Sequence, residues 1–380
     1  MRRLCARISL PFRGFMHYIR RDAYRVPPAS LQRPAHPKTI SGSTVLVTGA
    51  GGSIGSALTR RMAAHSPQLL LLLDHSEQNL YQIESDLTLN CDTVPLVSVL
   101  GDICNEALLS EIFERYRPNF IYHAAAFKHV PLMERNPIAA IQNNVLGTNV
   151  LARVARKHGV RVITMVSTDK AVCPRSIMGA SKRVAELALV RWTSKENQMN
   201  SIRLGNVYGT EGSVVKLFAQ QILAGGPVTV THADATRYFL SLEEAVGLIM
   251  LASELPSARI LIPDLGKPVR ILNLASRMIE EAGFVVDKGI PITFTGLRPG
   301  DKMTEDLVSA SEFLEATPDP RLSNVKTMGI NPDRFDALIT NLASAVERRD
   351  LFAILETLRC VVPEYEPSEY LLRSREGASA

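Results

Sequence analysis

A chain of 380 residues with 46% hydrophobic and 21% charged residues has the composition of a folded protein with a sizeable core, which excludes disorder as its dominant state. The formal charge of +5 is unevenly spread: residues 1–40 hold nine basic residues against one acid, leaving 34 basic against 37 acidic residues beyond them. The body therefore lacks the cationic surplus of a nucleic-acid-binding surface.

In chain order, residues 1–40 read as a basic arm followed by a linker rich in proline (Pro27, Pro28, Pro34, Pro37). Within it, Met1–Arg25 mixes Phe12, Phe15, Met16, Tyr18 and Ile19 with arginines, the pattern either of a helix lying on an anionic membrane face or of a solvated leader. Five scattered cysteines, without a CxxC pair or a His cluster, predict a reducing, cytoplasmic setting and no bound metal. No apolar run reaches membrane-spanning length, so the expected placement is cytoplasmic, with peripheral contact to the inner membrane face through residues 1–25.

From Thr44 short apolar runs alternate with longer amphipathic ones. Predicted strands are Thr44–Thr48, Leu69–Asp74, Val94–Leu100, Phe120–His123, Val160–Val166 and Ser201–Leu204. Predicted helices are Ser53–His65, Glu77–Leu87, Glu106–Tyr116, Ile138–His158 and Gly179–Trp192. Strands that are apolar throughout and separated by helices specify a parallel sheet covered on both faces: an α/β, doubly wound (Rossmann) fold that binds ligands at the carboxyl ends of its strands. This assigns residues 41–205 to an NAD(P)-binding domain. Residues 206–310, richer in glycine and proline, form a smaller α/β substrate region, and residues 311–380 a helical extension with helices at Asp333–Glu347 and Leu351–Arg359 and a frayed tail at Ser374–Ala380.

Gly49, Gly52 and Gly55 follow the first strand and open the first helix, the context in which a glycine turn lets backbone and helix N–H groups approach a pyrophosphate. Asp74, at the end of the second strand, is positioned for an adenosine ribose and favours NAD, since a carboxylate repels a 2′-phosphate; His75 and Ser76 leave NADP open. Asp102 follows the third strand and is expected at the adenine edge. The plainer alternative is a glycine turn with two carboxylates that cap helices. Ser53, Ile54, Ile103 and Ala124 complete the expected cofactor set.

Ser167-Thr168-Asp169-Lys170 follows the fifth predicted strand, and Met178 and Lys182 share one face of the next helix at an interval of four. In ordinary short-chain dehydrogenases a tyrosine stands where Met178 stands, while Lys182 would hold the nicotinamide ribose. His123, beside three alanines, reads as a packed residue, and Cys173 as a small filler.

These segments, with Asp-His-Ser-Glu at 74–77, His-Ala-Ala-Ala-Phe-Lys-His-Val-Pro-Leu-Met-Glu at 123–134, Met-Gly-Ala-Ser-Lys-Arg at 178–183, Arg-Leu-Gly-Asn-Val at 203–207, Gly-Gly-Pro-Val-Thr-Val-Thr at 225–231, Thr-Arg-Tyr-Phe at 236–239 and Leu-Arg-Pro-Gly-Asp-Lys at 297–302, resemble the CapD-type polysaccharide-biosynthesis branch of the extended short-chain dehydrogenases. The resemblance covers about residues 43–310 and implies a UDP-N-acetylglucosamine 4,6-dehydratase. Such an enzyme oxidises sugar C4, eliminates water across C5 and C6, and returns the hydride to C6, with a tightly bound NAD recycled in each turnover.

By the same analogy Asp169 is the acid toward the C6 hydroxyl, Lys170 the base toward C5, and Thr168 the partner of the C4 oxygen. Lys170 must then lose its proton, which desolvation and the nearby Lys182 are expected to favour. With Met178 in the tyrosine position, the C4 hydroxyl proton needs another acceptor, Asp169 or a water chain. Relatives with methionine here retain configuration at C5, which is the expectation for this chain. Arg298 and Arg237 are the expected diphosphate clamps. Asn206 is expected on the phosphate or sugar, Glu305 on the uridine ribose and Lys128 near the sugar, with solvated charge as the plainer reading of Arg298, Arg237, Lys128 and Glu305. A homo-oligomer and a UDP-sugar substrate complete the expectation. Two alternatives stay open: a UDP-sugar 4-epimerase, which needs no acid at C6, and a non-catalytic NAD-binding paralogue in a glycan-assembly complex.

Overall fold

The computed structural model describes residues 40–90, 94–255, 259–326 and 331–376. The basic arm, its proposed membrane contact, Cys5 and Cys91 lie outside the described residues.

The predicted alternation appears as β1 (Thr44–Thr48), α1 (Ser53–Ala63), β2 (Leu69–Asp74), α2 (Glu77–Asn90), β3 (Leu96–Leu100), α3 (Glu106–Tyr116) and β4 (Phe120–His123). It continues with α4 (Thr148–Lys157), β5 (Val162–Thr168), α5 (Ile177–Trp192) and β6 (Gln198–Leu204). After α6 (Val214–Leu223) and α7 (Leu242–Ala252) the chain re-enters the sheet as β7 (Ile260–Pro263), and after α8 (Ile271–Glu281) it adds β8 (Phe313–Ala316) and β9 (Leu322–Lys326). Together they build one nine-stranded sheet of order β8-β9-β7-β6-β5-β4-β1-β2-β3. Its seven strands from β3 to β7 are parallel, and β9 pairs antiparallel with both β7 and β8.

Strand periodicity explains why these runs are apolar throughout: successive side chains enter opposite layers, and both layers are covered. Val45 and Val47 of β1 join the cluster containing Leu58 and Met62 of α1 and Ile249 of α7, whereas Leu46 joins the cluster of Leu109, Ile112 and Leu151 on α3 and α4. Leu70 to Leu73 of β2 are fully buried, and each such leucine contributes roughly 1.5–3 kcal/mol.

Three differences from the sequence reading matter for the site. The single helix expected over Ile138–His158 is a short helix Pro137–Ala140, a π-helical stretch Ile141–Gly147 and α4. The change centres on fully buried Asn144, whose amide bonds to Phe127 and Ser181 draw that turn inward. Secondly, the smaller region is drawn from two separate stretches: one core joins Val215, Phe218, Val230 and Phe239 to Leu274, Met278 and Ile290, while α7 and β7 between them pack into the main body. Thirdly, residues 311–380 are not wholly helical. β8 and β9 complete the sheet, and α9 (Pro332–Glu347) and α10 (Leu351–Val361) cover α5 through Phe335, Leu342, Ile354 and Leu358. Where a frayed tail was expected from Ser374, helix α11 (Glu369–Glu376) continues, and residues 377–380 lie outside the described residues. Among the described residues no helix is long and apolar enough to cross a membrane.

Candidate active site

The glycine turn closes β1 onto α1. Gly49 has φ +65°, and a side chain on Gly55 would stand 1.9 Å from the Gly49 carbonyl oxygen, so the turn exists only without Cβ atoms there. Gly52 sits at the N-cap of α1 with no side-chain cap, which leaves the first-turn N–H groups facing the carboxyl edge of the sheet. Gly51 was not singled out from the sequence, yet a Cβ there would lie 2.5 Å from Asn79. Its N–H donates to Asp74 Oδ2 at 2.9 Å, and Ser76 N–H donates to Oδ1 at 2.9 Å. Asp74 thus braces the turn with both oxygens and keeps lone pairs for a ribose. Asp102 accepts from Cys104 N–H, Ile103 is buried beneath it, and Ala124 N–H donates to Thr48 across the strand ends. These groups fit a dinucleotide at this edge.

His123 is buried and bridges the Thr48 and Thr148 hydroxyls at 2.7 and 2.9 Å. Burial, with Lys182 nearby, lowers its pKa to about 3, so it stays neutral as the packed residue its sequence suggested.

At the end of β5, Thr168 caps a 3-10 turn, Asp169–Ala171, by accepting from Lys170 N–H. Gly179 of α5 allows that helix to press on the turn, since a Cβ there would lie 2.2 Å from the Lys170 carbonyl oxygen. Lys170 Nζ donates to Asp169 Oδ1 at 2.9 Å and to Asn206 Oδ1 at 3.1 Å, and stands 3.6 Å from Glu305 Oε1. Thr168 Oγ1 donates to the same Asp169 oxygen at 3.0 Å. Among the described residues, the second oxygens of Asp169 and Glu305 are buried without a hydrogen-bond partner, and both belong to this cluster.

The proton affinities differ from expectation. Burial lowers the pKa of Lys170, but the carboxylates of Asp169 and Glu305 outweigh it, so the net shift is upward and the ammonium is held. The lysine with the depressed pKa is Lys182, which burial lowers to about 8 while Glu186 partly restores it. Met178, one turn earlier, is buried among apolar side chains and offers no polar atom beyond its thioether.

Several predicted substrate residues are engaged differently. Glu305, expected at the uridine ribose, is buried beside Lys170, with burial raising its pKa. Arg237 lies against Glu305 at 3.5 Å and donates to the carbonyl oxygens of Thr236, Lys302 and Met303, so much of its fork holds the loop that carries Glu305. Arg298 is exposed and paired with Asp301 at 2.8 Å. Lys128 donates to the Glu211 carbonyl at 2.8 Å, and Glu211 N–H donates to Ser53 Oγ at 3.0 Å, which sets Lys128 beside the glycine turn. A cleft of about 680 Å³, lined by Cys173, Arg298, Lys302 and Tyr370 among others, borders the cluster without including Lys170. Cys173 holds φ +38° there, and burial raises its thiol pKa, as suits a filler rather than a nucleophile.

A family described as "polysaccharide biosynthesis protein" matches residues 45–327. The chain is 42% identical over 291 residues to the capsular polysaccharide biosynthesis protein CapD of Staphylococcus aureus, covering 75% of this chain and 48% of CapD. It therefore spans about half the length of that relative. It is 31% identical over 281 residues to a UDP-glucose 4-epimerase of Rickettsia rickettsii, covering 72% of this chain and 80% of that one. Among solved structures, Pen from Bacillus thuringiensis superposes with TM-score 0.67 at 26% identity, over 80% of this chain and 98% of Pen. The dTDP-glucose 4,6-dehydratase DesIV of Streptomyces venezuelae, solved with NAD, superposes with TM-score 0.59 at 23% identity, over 69% of this chain and 87% of DesIV, a likeness of fold.

Proposed function

The chain belongs to the polysaccharide biosynthesis protein family, and from that membership we propose that it is an NAD-dependent nucleotide-sugar 4,6-dehydratase acting on UDP-N-acetylglucosamine. The carrying observation is the Thr168-Asp169-Lys170 cluster, in which one carboxylate oxygen accepts from both the Thr168 hydroxyl and the Lys170 ammonium. An elimination needs an acid and a base side by side, whereas simple hydride transfer needs only an acceptor for the hydroxyl proton. The glycine turn and Asp74 would hold NAD, with Lys182 on its nicotinamide ribose, and the cofactor would supply a reversible hydride acceptor.

Thr168 bonds the C4 oxygen and passes its proton to Asp169 along the 3.0 Å hydrogen bond, which supplies the acceptor that Met178 cannot. Once Asp169 is neutral, the larger of the two charges that hold the Lys170 proton is gone, Glu305 alone opposes burial, and the proton passes to solvent. Lys170 then takes the C5 proton while Asp169 protonates the C6 hydroxyl, which leaves as water. Lys170 would then give the proton back to C5, and one proton regained from solvent restores the ion pair. Return of the proton by the same amine on the same face retains configuration at C5. Arg298 and Asn206 hold the diphosphate and sugar; Asp74 favours NAD over NADP.

Incubation with UDP-N-acetylglucosamine and mass spectrometry tests the proposal: a product lighter by one water is expected, and an isobaric product overturns it. The epimerase named among the relatives favours a second reading, C4 epimerisation, which predicts that isobaric product.

A further inference from the structure

We propose that Arg203 is the positioning residue of this site, acting through Glu186 and Glu312 to hold the Thr168–Lys170 turn, Lys182, Asn206 and Glu305 in register. It rests on the dehydratase reading only for the purpose this register serves.

Arg203 lies in β6, three residues before Asn206, and is fully buried. It makes two paired contacts. Its Nε and one terminal nitrogen donate to Glu186 at 3.0 and 2.9 Å, and both terminal nitrogens donate to Glu312 at 2.8 Å. Arg183 joins both carboxylates, at 2.9 and 3.1 Å, so two guanidinium groups and two carboxylates balance out of water. Glu186 in turn accepts from the Ser167 hydroxyl at 2.6 Å, and Ser167 immediately precedes Thr168. Glu186 is also one turn beyond Lys182 on α5. On the other side Glu312 accepts from Ser309 N–H, and Arg203 donates weakly to the Leu307 carbonyl, two residues after Glu305.

The segments that bring Thr168, Asp169, Lys170, Lys182, Asn206 and Glu305 together are thus anchored near the cluster through contacts with one guanidinium. β5 is held at Ser167, α5 at Arg183 and Glu186, β6 at Arg203 itself, and the loop carrying Glu305 at Leu307 and Glu312. A planar fork with fixed donor directions sets angles as well as distances, which a lysine cannot do. An apolar core of the same volume would hold these segments together but would tolerate sliding; opposed bidentate pairs tolerate little.

The Arg203→Lys variant of the full chain keeps every charge and removes the fork. Titration of its lysine side chains by NMR needs no substrate. Lys182 is faced by His123 from β4 and Glu186 from α5, and Lys170 by Asp169, Glu305 and Arg237, so their midpoints report the register directly. Both midpoints are expected to move by about half a pH unit or more, with Lys170 moving down as its carboxylates loosen. The kcat for water loss should fall about tenfold or more with KM nearly unchanged.

Should Arg203→Lys fail to fold, the double variant Arg203→Met with Glu186→Gln keeps the balance of charge, and the same loss of kcat is expected of it. A folded variant that melts lower yet keeps the wild-type kcat and lysine midpoints overturns the proposal, because a purely structural network behaves that way. Absence of water loss by the wild type would refute the dehydratase reading alone, since the lysine midpoints judge Arg203 independently.

Discussion

Lys170 is a lysine whose surroundings hold its proton, and that fixes the pH behaviour expected of the reaction. Because Asp169 and Glu305 raise its pKa above the ordinary lysine value, the amine form is scarce at neutral pH, and kcat/KM should rise with pH across the neutral to alkaline range. A pH–rate profile flat over that range would contradict Lys170 as the base. Replacement Lys170→Met removes the base but leaves C4 oxidation possible. Water loss should fall by about 1000-fold while reduced cofactor accumulates, measured by product mass and cofactor absorbance. The adjacency of Asp169 and Lys170 is plain in the sequence. The direction of the lysine's shift is not, because Glu305 arrives from far along the chain and only folding sets it 3.6 Å away. The same distance in sequence hid the true surroundings of Glu305 and Arg237, whose partners are backbone carbonyls that no side-chain pattern advertises.

Elements meet at the site through close backbone approaches as well as through the Arg203 network. Gly179→Ala would push a methyl group to 2.2 Å from the Lys170 carbonyl, so α5 or the turn must shift. A cost of about 1–3 kcal/mol in denaturant unfolding is expected, together with a loss of turnover larger than the loss of stability explains. The charge network between α5, β5 and β6 carries a second expectation. The guanidinium of Arg203 holds Glu186 at a pKa of about 2, overcoming burial, which alone would raise it. A depressed carboxylate stabilises the fold above its unfolded pKa and loses that contribution as pH falls through the folded value. Glu186 should therefore contribute on the order of 3 kcal/mol at neutral pH, lost between about pH 4.5 and pH 2. Acid unfolding of Glu186→Gln should lack this component. At this scale the sequence was most legible for β1, β2, β4 and α3, where apolar runs and breakers coincide. It was least so for the π-helical turn, which is set by the buried amide of Asn144 rather than by local propensity.

Taken whole, the molecule depends on residues beyond the stretch that defines the family. The family match ends at residue 327, yet α9 and α10 cover the outer face of α5 with Phe335, Leu342, Ile354 and Leu358. Phe335→Ala should cost about 3–5 kcal/mol, read from chemical denaturation, and a chain truncated before α9 should not stay in solution as a folded body. The doubly wound order was legible because each strand is apolar on both faces. The division of the smaller region into two stretches was not, since α7 and β7 look locally like their neighbours and differ only in what they pack against.

At the far rim of the sheet, among the described residues, β8 pairs with β9 on one side only, and all four of its residues, Phe313 and Leu314 among them, are exposed. A strand open in this way is adhesive toward other copies of itself, so the concentration at which the protein stays dispersed is governed by a few side chains remote from the chemistry. Phe313→Lys should raise the concentration at which light scattering first increases and leave kcat for the proposed water loss untouched, which makes the colloidal and catalytic behaviour of the protein separately adjustable.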